Sequence, residues 1–193
     1  FGICLASGAF LWAVFYRCKQ ELKTRDGFLI VTLFWVVLSF FGAIPFMMDL
    51  AEPLSFTQAF FVAVSGLTTT GASLMTHLST LPHSILYYRM QLHFLGGMGI
   101  VVLAVAVLPM LGIGGLQLAK AETAGPVKTT KLKPRMTQTA KALWSIYVGL
   151  VVLCALSYWA AGMTLFDAIG ESYSTIATGG FSIHDNSFAY YHS

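Results

Sequence analysis

Two short stretches carry residue types that could do chemistry through the backbone: "VSGLTTTGAS", residues 64–73, and "YSTIATGGFS", residues 173–182. Both gather threonine, serine and glycine at the end of an apolar run, with no charged side chain among them. Irregular backbone at membrane depth survives only where it is buried in protein or lines a watery cavity, because lipid supplies no hydrogen bonds. A Thr/Gly loop placed there can turn its carbonyls toward a shared axis and replace the hydration shell of a cation. Glycine permits the backbone angles that other residues resist.

Side-chain chemistry has weaker support. Cys4, Cys18 and Cys154 lie far apart, without CxxC or Cys/His ligand spacing, and read as small hydrophobes. His93, in "HFLGGMGI", stands alone with Gln91 at the start of an apolar helix. An isolated ligand is a poor metal site, so His93 reads as a hydrogen-bonded packing residue. Gly96, Gly97 and Gly99 beside it let this helix approach its neighbours closely. "GIGG", residues 112–115, lacks the Lys-Ser/Thr of a phosphate loop and reads as a helix end. His77, His83, His184 and His192 fall in expected outer loops, where a solvated surface is the default.

The elements that must position the two loops follow from composition. The chain has 193 residues, 56% hydrophobic and 10% charged, whereas a soluble domain is roughly 45–50% apolar and about 25% charged. An all-α integral membrane protein is expected. Apolar runs occupy residues 2–16, 28–48, 56–67, 92–111, 142–163 and 165–176. A spanning helix needs about 20 residues, and runs of about 10–14 suggest re-entrant or buried segments. The third and sixth runs are too short to cross, and each leads directly into one of the Thr/Gly loops.

Charge tests this layout, because cytoplasmic loops collect Lys and Arg. Arg17, Lys19, Lys23 and Arg25 fall in one linker; Lys120, Lys128, Lys131, Lys133, Arg135 and Lys141 fall in another; only Arg89 lies elsewhere. Both basic linkers face the cytoplasm if residues 28–48 and 92–111 cross and residues 56–67 dip in and return outside. The same parity sends residues 142–163 outward and makes residues 165–176 a second dip. Asp49, Glu52, Asp167, Glu171 and Asp185 then lie toward the outer half, where they could concentrate cations by field focusing. Asp167 and Glu171 are also expected at helix N-terminal positions, where carboxylates stabilise the dipole. The first residue is Phe1, with no basic n-region, and no spanning run follows the second dip, so both ends read as cut edges.

The two dips also align. "PLSFTQAFFVAVSGLTTTGAS" (53–73) lies over "GMTLFDAIGESYSTIATGGFS" (162–182) without a gap, with identities at Ala59/Ala168, Ser65/Ser174, Thr69/Thr178, Gly71/Gly180 and Ser73/Ser182. Ser55 pairs with Thr164, either of which can cap a helix start. Coincidence between two small-residue loops is the alternative; the shared context after an apolar span argues against it. The unit reads as span, half-helix, loop, span. Because each half-helix precedes its loop, its partially negative C-terminal end points into the membrane, which favours a cation. An aquaporin-like pore would direct N-termini inward, and no Asn-Pro-Ala occurs.

"SGLTTTGAS" and "STIATGGFS", together with "LHFLGGMGIVVLAVAVLPMLGIGG" (92–115), resemble the membrane subunits of bacterial Trk potassium uptake systems, in the Trk/Ktr/HKT superfamily. The resemblance covers the whole chain. It implies four such units around a pore, as in potassium channels, each giving one loop to a selectivity filter. Residues 1–26 would be the end of an N-terminal extension with its linker, 27–117 a first unit, 118–141 a cytoplasmic basic loop, and 142–193 a second unit without its inner helix. By position, Gly71 and Gly180 take the filter glycine sites, and the carbonyls of Thr69, Thr70, Thr178 and Gly179 would contact K⁺. Relatives with serine at the first filter glycine favour Na⁺, so Gly71 argues for K⁺. Neither loop has the Thr-Val-Gly-Tyr-Gly sequence of tetrameric channels, and without that tyrosine cuff the filter is expected to be held less rigidly.

The resemblance further implies a multi-pass protein of the bacterial inner membrane, surrounded by lipid and homodimeric. K⁺ would be the transported ion, with no organic cofactor and no nucleic-acid partner. The segment "KAETAGPVKTTKLKPR" (120–135) is explained by positive-inside topology alone, and could also help dock the cytosolic nucleotide-binding ring TrkA. Two other classes stay open: a membrane-embedded enzyme using Gln91, His93 and the acidic residues, which needs ionisable groups clustered within the spans, and a structural assembly subunit.

Overall fold

The computed structural model describes residues 5–6, 8–9, 12–13, 24–48, 53–107 and 132–191. Five helices organise them: α1 (Thr24–Met47), α2 (Phe56–Leu67), α3 (His83–Val107), α4 (Leu132–Ala160) and α5 (Leu165–Ile176). Single 3₁₀ turns, Leu78–Thr80 and Ser187–Tyr190, follow the two Thr/Gly loops. No strand occurs among the described residues. Arg17, Lys19, Lys23, Asp49, Glu52, Cys4, Cys18, His192, the 112–115 glycine run and the basic residues from Lys120 to Lys131 lie outside the described residues.

The short helices α2 and α5 coincide with the short apolar runs because both of their ends are specified locally. At the start of α2, the Ser55 hydroxyl accepts the Gln58 N–H and the Gln58 side-chain Oε1 accepts the Ser55 N–H, a closed capping box. At the start of α5, the Thr164 hydroxyl accepts the Asp167 N–H at 3.2 Å. Each cap contributes about 1 kcal/mol. The long helices overrun their apolar runs. α3 begins at His83 rather than at 92, which brings Arg89 into the helix and sets His93 well inside it, and α4 begins at Leu132 rather than at 142. Among the described residues, Gln138–Ala160 has both the length and the hydropathy of a membrane span, while Val31–Met47 and Phe56–Leu67 are shorter apolar stretches.

α2 packs against α1 and α3, and α5 packs against α3 and α4, so α3 joins the two halves. The core between them combines aliphatic side chains, among them Leu67, Leu86 and Leu92, with the small residues Ala43, Ala59 and Ala63 and the rings of Phe46 and Phe181. Inside a bilayer there is no water to expel, so helices associate through close packing, and small residues allow it. The three glycines of α3 meet three different elements. A Cβ on Gly96 would overlap the Leu67 carbonyl at the end of α2; one on Gly97 would press on Tyr147 of α4 and Ala177 after α5; one on Gly99 would touch Trp35 of α1. By contrast, α4 turns Trp144, Ile146, Leu150, Leu153, Leu156 and Trp159 outward, a surface suited to acyl chains.

Candidate functional site

The two Thr/Gly loops leave their half-helices in the same way. After α2, the Thr69 N–H donates to the Gly66 carbonyl at 3.1 Å and the Thr70 N–H to the Ser65 carbonyl at 2.9 Å. After α5, the Thr178 N–H donates to the Thr175 carbonyl at 3.0 Å and the Gly179 N–H to the Ser174 carbonyl at 2.8 Å. This crossed pair is the Schellman arrangement, which satisfies carbonyls that a helix end leaves unpaired. It needs a left-handed residue, and both loops supply threonine: φ is 55° at Thr69 and 53° at Thr178. A β-branched side chain resists that region at a cost of about 1–3 kcal/mol, so each turn is held by its surroundings. Two residues further on, Gly71 (φ 78°) and Gly180 (φ 100°) carry positive φ again.

The loops meet at these glycines. The carbonyl oxygen of Gly179 occupies the space where a Cβ on Gly71 would be, whereas a Cβ on Gly180 would meet only the Gly71 Cα, at 4.0 Å. Gly71, Gly179 and Gly180 are therefore brought into one cluster. Thr69 is half-buried, and Thr70 and Thr178 are exposed beside it. The Thr68 and Thr70 hydroxyls lie 2.8 Å apart, and the Thr178 hydroxyl donates to the Ala177 carbonyl at 2.7 Å. Exposed threonines thus mark the surface of both turns, and a cleft of ≈ 220 Å³ beside the second is lined in part by Ser174, Thr178, Gly180 and Glu171.

Behind the second loop lies a buried polar group that reading the sequence did not bring together. Glu171, 1% exposed, accepts the Ser182 hydroxyl at 2.6 Å and the Ile183 N–H at 2.9 Å through one carboxylate oxygen. Arg89, 2% exposed and on the other half of the fold, donates from Nη1 to the Ser182 carbonyl at 3.1 Å. Its guanidinium lies 4.1 Å from the centre of the Phe181 ring, a cation–π distance. His93, one helical turn along α3 from Arg89, stacks on the same ring with centroids 4.1 Å apart and packs against Gly179.

Several expectations change accordingly. Glu171 sits two turns into α5, so only Asp167 occupies the first turn, and the carboxylate of Glu171 is committed to the loop backbone instead of the helix dipole. His93 is a packing residue, fully buried, but neither ring nitrogen has a hydrogen-bond partner among the described residues. His184 is not a solvated loop residue: its Nε2 lies 3.5 Å from an Asp167 oxygen and its ring stacks on Tyr190. His83 opens α3 and packs on Phe166. Asp185 accepts the Leu78 N–H at 3.1 Å, tying the segment after the second loop to the turn after the first. Among the described residues no group of three metal-ligating side chains exists.

Arg89 carried one signal in the sequence, as the single basic residue outside the two basic linkers. Glu171 carried another: the aligned position in the first half-helix is Val62, so a carboxylate there is not required by the helix itself.

Comparison with known proteins agrees along the full chain. A family model described as TrkH, cation transport protein, matches residues 1–193. The Trk system potassium uptake protein TrkH of Salmonella typhimurium is 57% identical over 193 residues, covering 100% of this chain and 40% of the relative. The TrkG protein of Escherichia coli strain K12, also named a Trk system potassium uptake protein, is 46% identical over 190 residues, covering 98% of this chain and 39% of the relative. The crystal structure of the potassium transporter TrkH from Vibrio parahaemolyticus superimposes with a TM-score of 0.84 at 51% identity, covering 99% of this chain and 37% of that one. The chain thus spans about two fifths of the length of the relatives it matches. A helical chain with these identities along its whole length belongs to the TrkH family of cation transport proteins.

Proposed function

We propose that this chain forms part of a K⁺ uptake pathway across the membrane, in which the 69–71 and 178–180 backbones are two of the loops of a selectivity filter. The observation that carries this reading is the meeting of the two left-handed turns at Gly71 and Gly179, each at the C-terminal end of a short capped helix. A helix C-terminus carries partial negative charge, and carbonyls held by a surrounding scaffold can replace the water around a dehydrated cation. The names of the relatives, all potassium uptake proteins, support the same ion.

On this reading Thr69, Thr70, Thr178 and Gly179 offer carbonyl oxygens to K⁺, while Gly71 and Gly180 allow the backbone its turn. Residues 27–117 form one pore unit and residues 142–193 most of a second, with 118–141, which includes the first turns of α4, as the cytoplasmic connection between them and 1–26 ahead of them. The protein crosses the inner membrane several times, pairs as a homodimer, and docks TrkA through its cytoplasmic face. Transport needs no covalent chemistry. Arg89, Glu171 and His93 do form the buried ionisable cluster that an enzyme would need, but Arg89 and Glu171 each bond the loop backbone, which supports a scaffold in preference to a catalytic centre.

The test is to place Gly71→Ser and Gly180→Ser in the full-length transporter and measure K⁺ and Na⁺ uptake in cells lacking other K⁺ uptake. Lowered K⁺ uptake with a smaller K⁺/Na⁺ ratio is expected. Unchanged uptake and ratio in both variants would overturn the assignment.

A further inference from the structure

The second loop is held by two buried ionisable side chains, Arg89 and Glu171. Ser182 and Ile183 follow Gly180 after one residue, Phe181. The Arg89 guanidinium holds the Ser182 carbonyl, and the Glu171 carboxylate holds both the Ser182 hydroxyl and the Ile183 N–H. The Ser182 hydroxyl also accepts the His184 N–H at 3.3 Å. Two successive residues of the loop's outer limb, Ser182 and Ile183, are thereby fixed to two buried side chains, and His184 is tied to the first of them. Phe181, 1% exposed, is fixed too, with Arg89 and His93 both against its ring.

Arg89 comes from α3 and Glu171 from α5, so this brace ties the loop to its own half-helix and to the helix that joins the two halves. Hydrogen bonds to a charged partner in a buried setting are among the stronger ones, and they fix direction as well as distance. The two side chains hold opposite sides of the Ser182–Ile183 peptide, the carbonyl from one side and the N–H from the other, so each bond adds to the hold of the other. Gly180 carries φ 100° immediately before this limb, and a positive-φ glycine has the freedom to turn unless its neighbours are held.

We propose that Arg89 and Glu171 are positioning residues for ion selectivity: they clamp the 181–183 limb and so fix the carbonyls of Thr178 and Gly179 at a spacing that suits K⁺. The proposal rests on the filter reading given above. It supplies a charged brace at a position where a tetrameric channel would use an aromatic cuff. Selectivity is a difference between two ions at one site, so a loosened cage loses discrimination before it loses flux.

The experiment uses the full-length transporter with Arg89→Ala, Arg89→Lys, Glu171→Ala, Glu171→Gln and Ser182→Ala, each beside Gly180→Ser. K⁺ and Na⁺ uptake are measured together with membrane abundance. Glu171→Ala and Arg89→Ala are expected to lower the K⁺/Na⁺ ratio about tenfold, since small misplacements of a binding group cost this much or more. Glu171→Gln, which keeps an acceptor oxygen for the Ile183 N–H, is expected to hold most of the ratio, and Ser182→Ala to lose part of it. A merely structural role would lower abundance and both fluxes together and leave the ratio unchanged. If the alanine variants fail to accumulate, Arg89→Lys and Ser182→Ala decide the matter by the same ratio. A normal ratio in the accumulating variants while Gly180→Ser alters it overturns the brace and leaves the filter standing. A normal ratio in Gly180→Ser and in Gly71→Ser as well, with unchanged uptake, overturns both.

Discussion

The loop after α2 and the loop after α5 share a main chain and differ in what stands behind it. Their hydrogen bonds, left-handed threonines and positive-φ glycines correspond one for one. Yet Glu171 faces Val62, Phe181 faces Ala72, and Ser182 faces Ser73 when the two stretches are aligned. Val62 is buried and apolar, and Ser73 is exposed, its hydroxyl accepting the local Met75 N–H. Similarly, Ser174 accepts the Gly180 N–H at 2.9 Å, whereas Ser65 has no partner for its hydroxyl among the described residues. Local signals therefore suffice to shape such a turn, and tertiary partners decide how tightly it is held.

The strongest way to break this comparison is at the glycines. Gly71→Ala should reduce K⁺ uptake about a hundredfold, because the new Cβ overlaps a backbone carbonyl and adds left-handed strain. Gly180→Ala has open space and meets strain alone, so a loss of about tenfold is expected. Equal losses in parallel uptake assays would mean that the contact between the loops does not matter.

The shared turn can be tested by easing it. Asparagine tolerates the left-handed region better than threonine, so Thr69→Asn and Thr178→Asn should each stabilise the purified protein by about 0.5–1 kcal/mol. Thermal melts that separate the two variants widely would show that the turns are not equivalent. Next in size is the serine pair. Ser174→Ala removes the partner of the Gly180 N–H and should cost about 1 kcal/mol, while Ser65→Ala should be close to neutral; denaturation of the two variants side by side would reverse the argument if Ser65→Ala proved the costlier. The smallest difference is at the helix starts. Gln58→Ala opens a capping box for about 0.5 kcal/mol, whereas Asp167→Ala loses its pairing with His184 for about 0.2–1 kcal/mol. A melt in which both variants match the unsubstituted protein would remove these residues from the account.

How much of this could be read from the residues depends on where each structure gets its instructions. α2 and α5 were legible to the residue because Ser55 or Thr164 begins them and a Thr-Gly run ends them. The starts of α3 and α4 were not, because apolarity marks the depth of a membrane while a helix continues into polar residues for as long as its hydrogen bonds do. The threonine-glycine cluster was legible as a type of backbone, and the structure brings Gly71, Gly179 and Gly180 together. The brace was not legible, since Arg89 and Glu171 lie on different elements and only folding puts them on one peptide. His93 illustrates the same limit. Its burial follows from an apolar neighbourhood, but its stacking on Phe181 needs a partner from the other half.

The overlap between Gly71 and the Gly179 carbonyl also carries an order of assembly. Chains are made from the N-terminus, so the first turn emerges long before the second. Its surface at Gly71 is then the seat on which a later backbone oxygen comes to rest, with Leu78 and Arg89 waiting to take Asp185 and Ser182. The earlier half of the molecule acts as a mould for the later one, and an error in the first casting would be copied into the second.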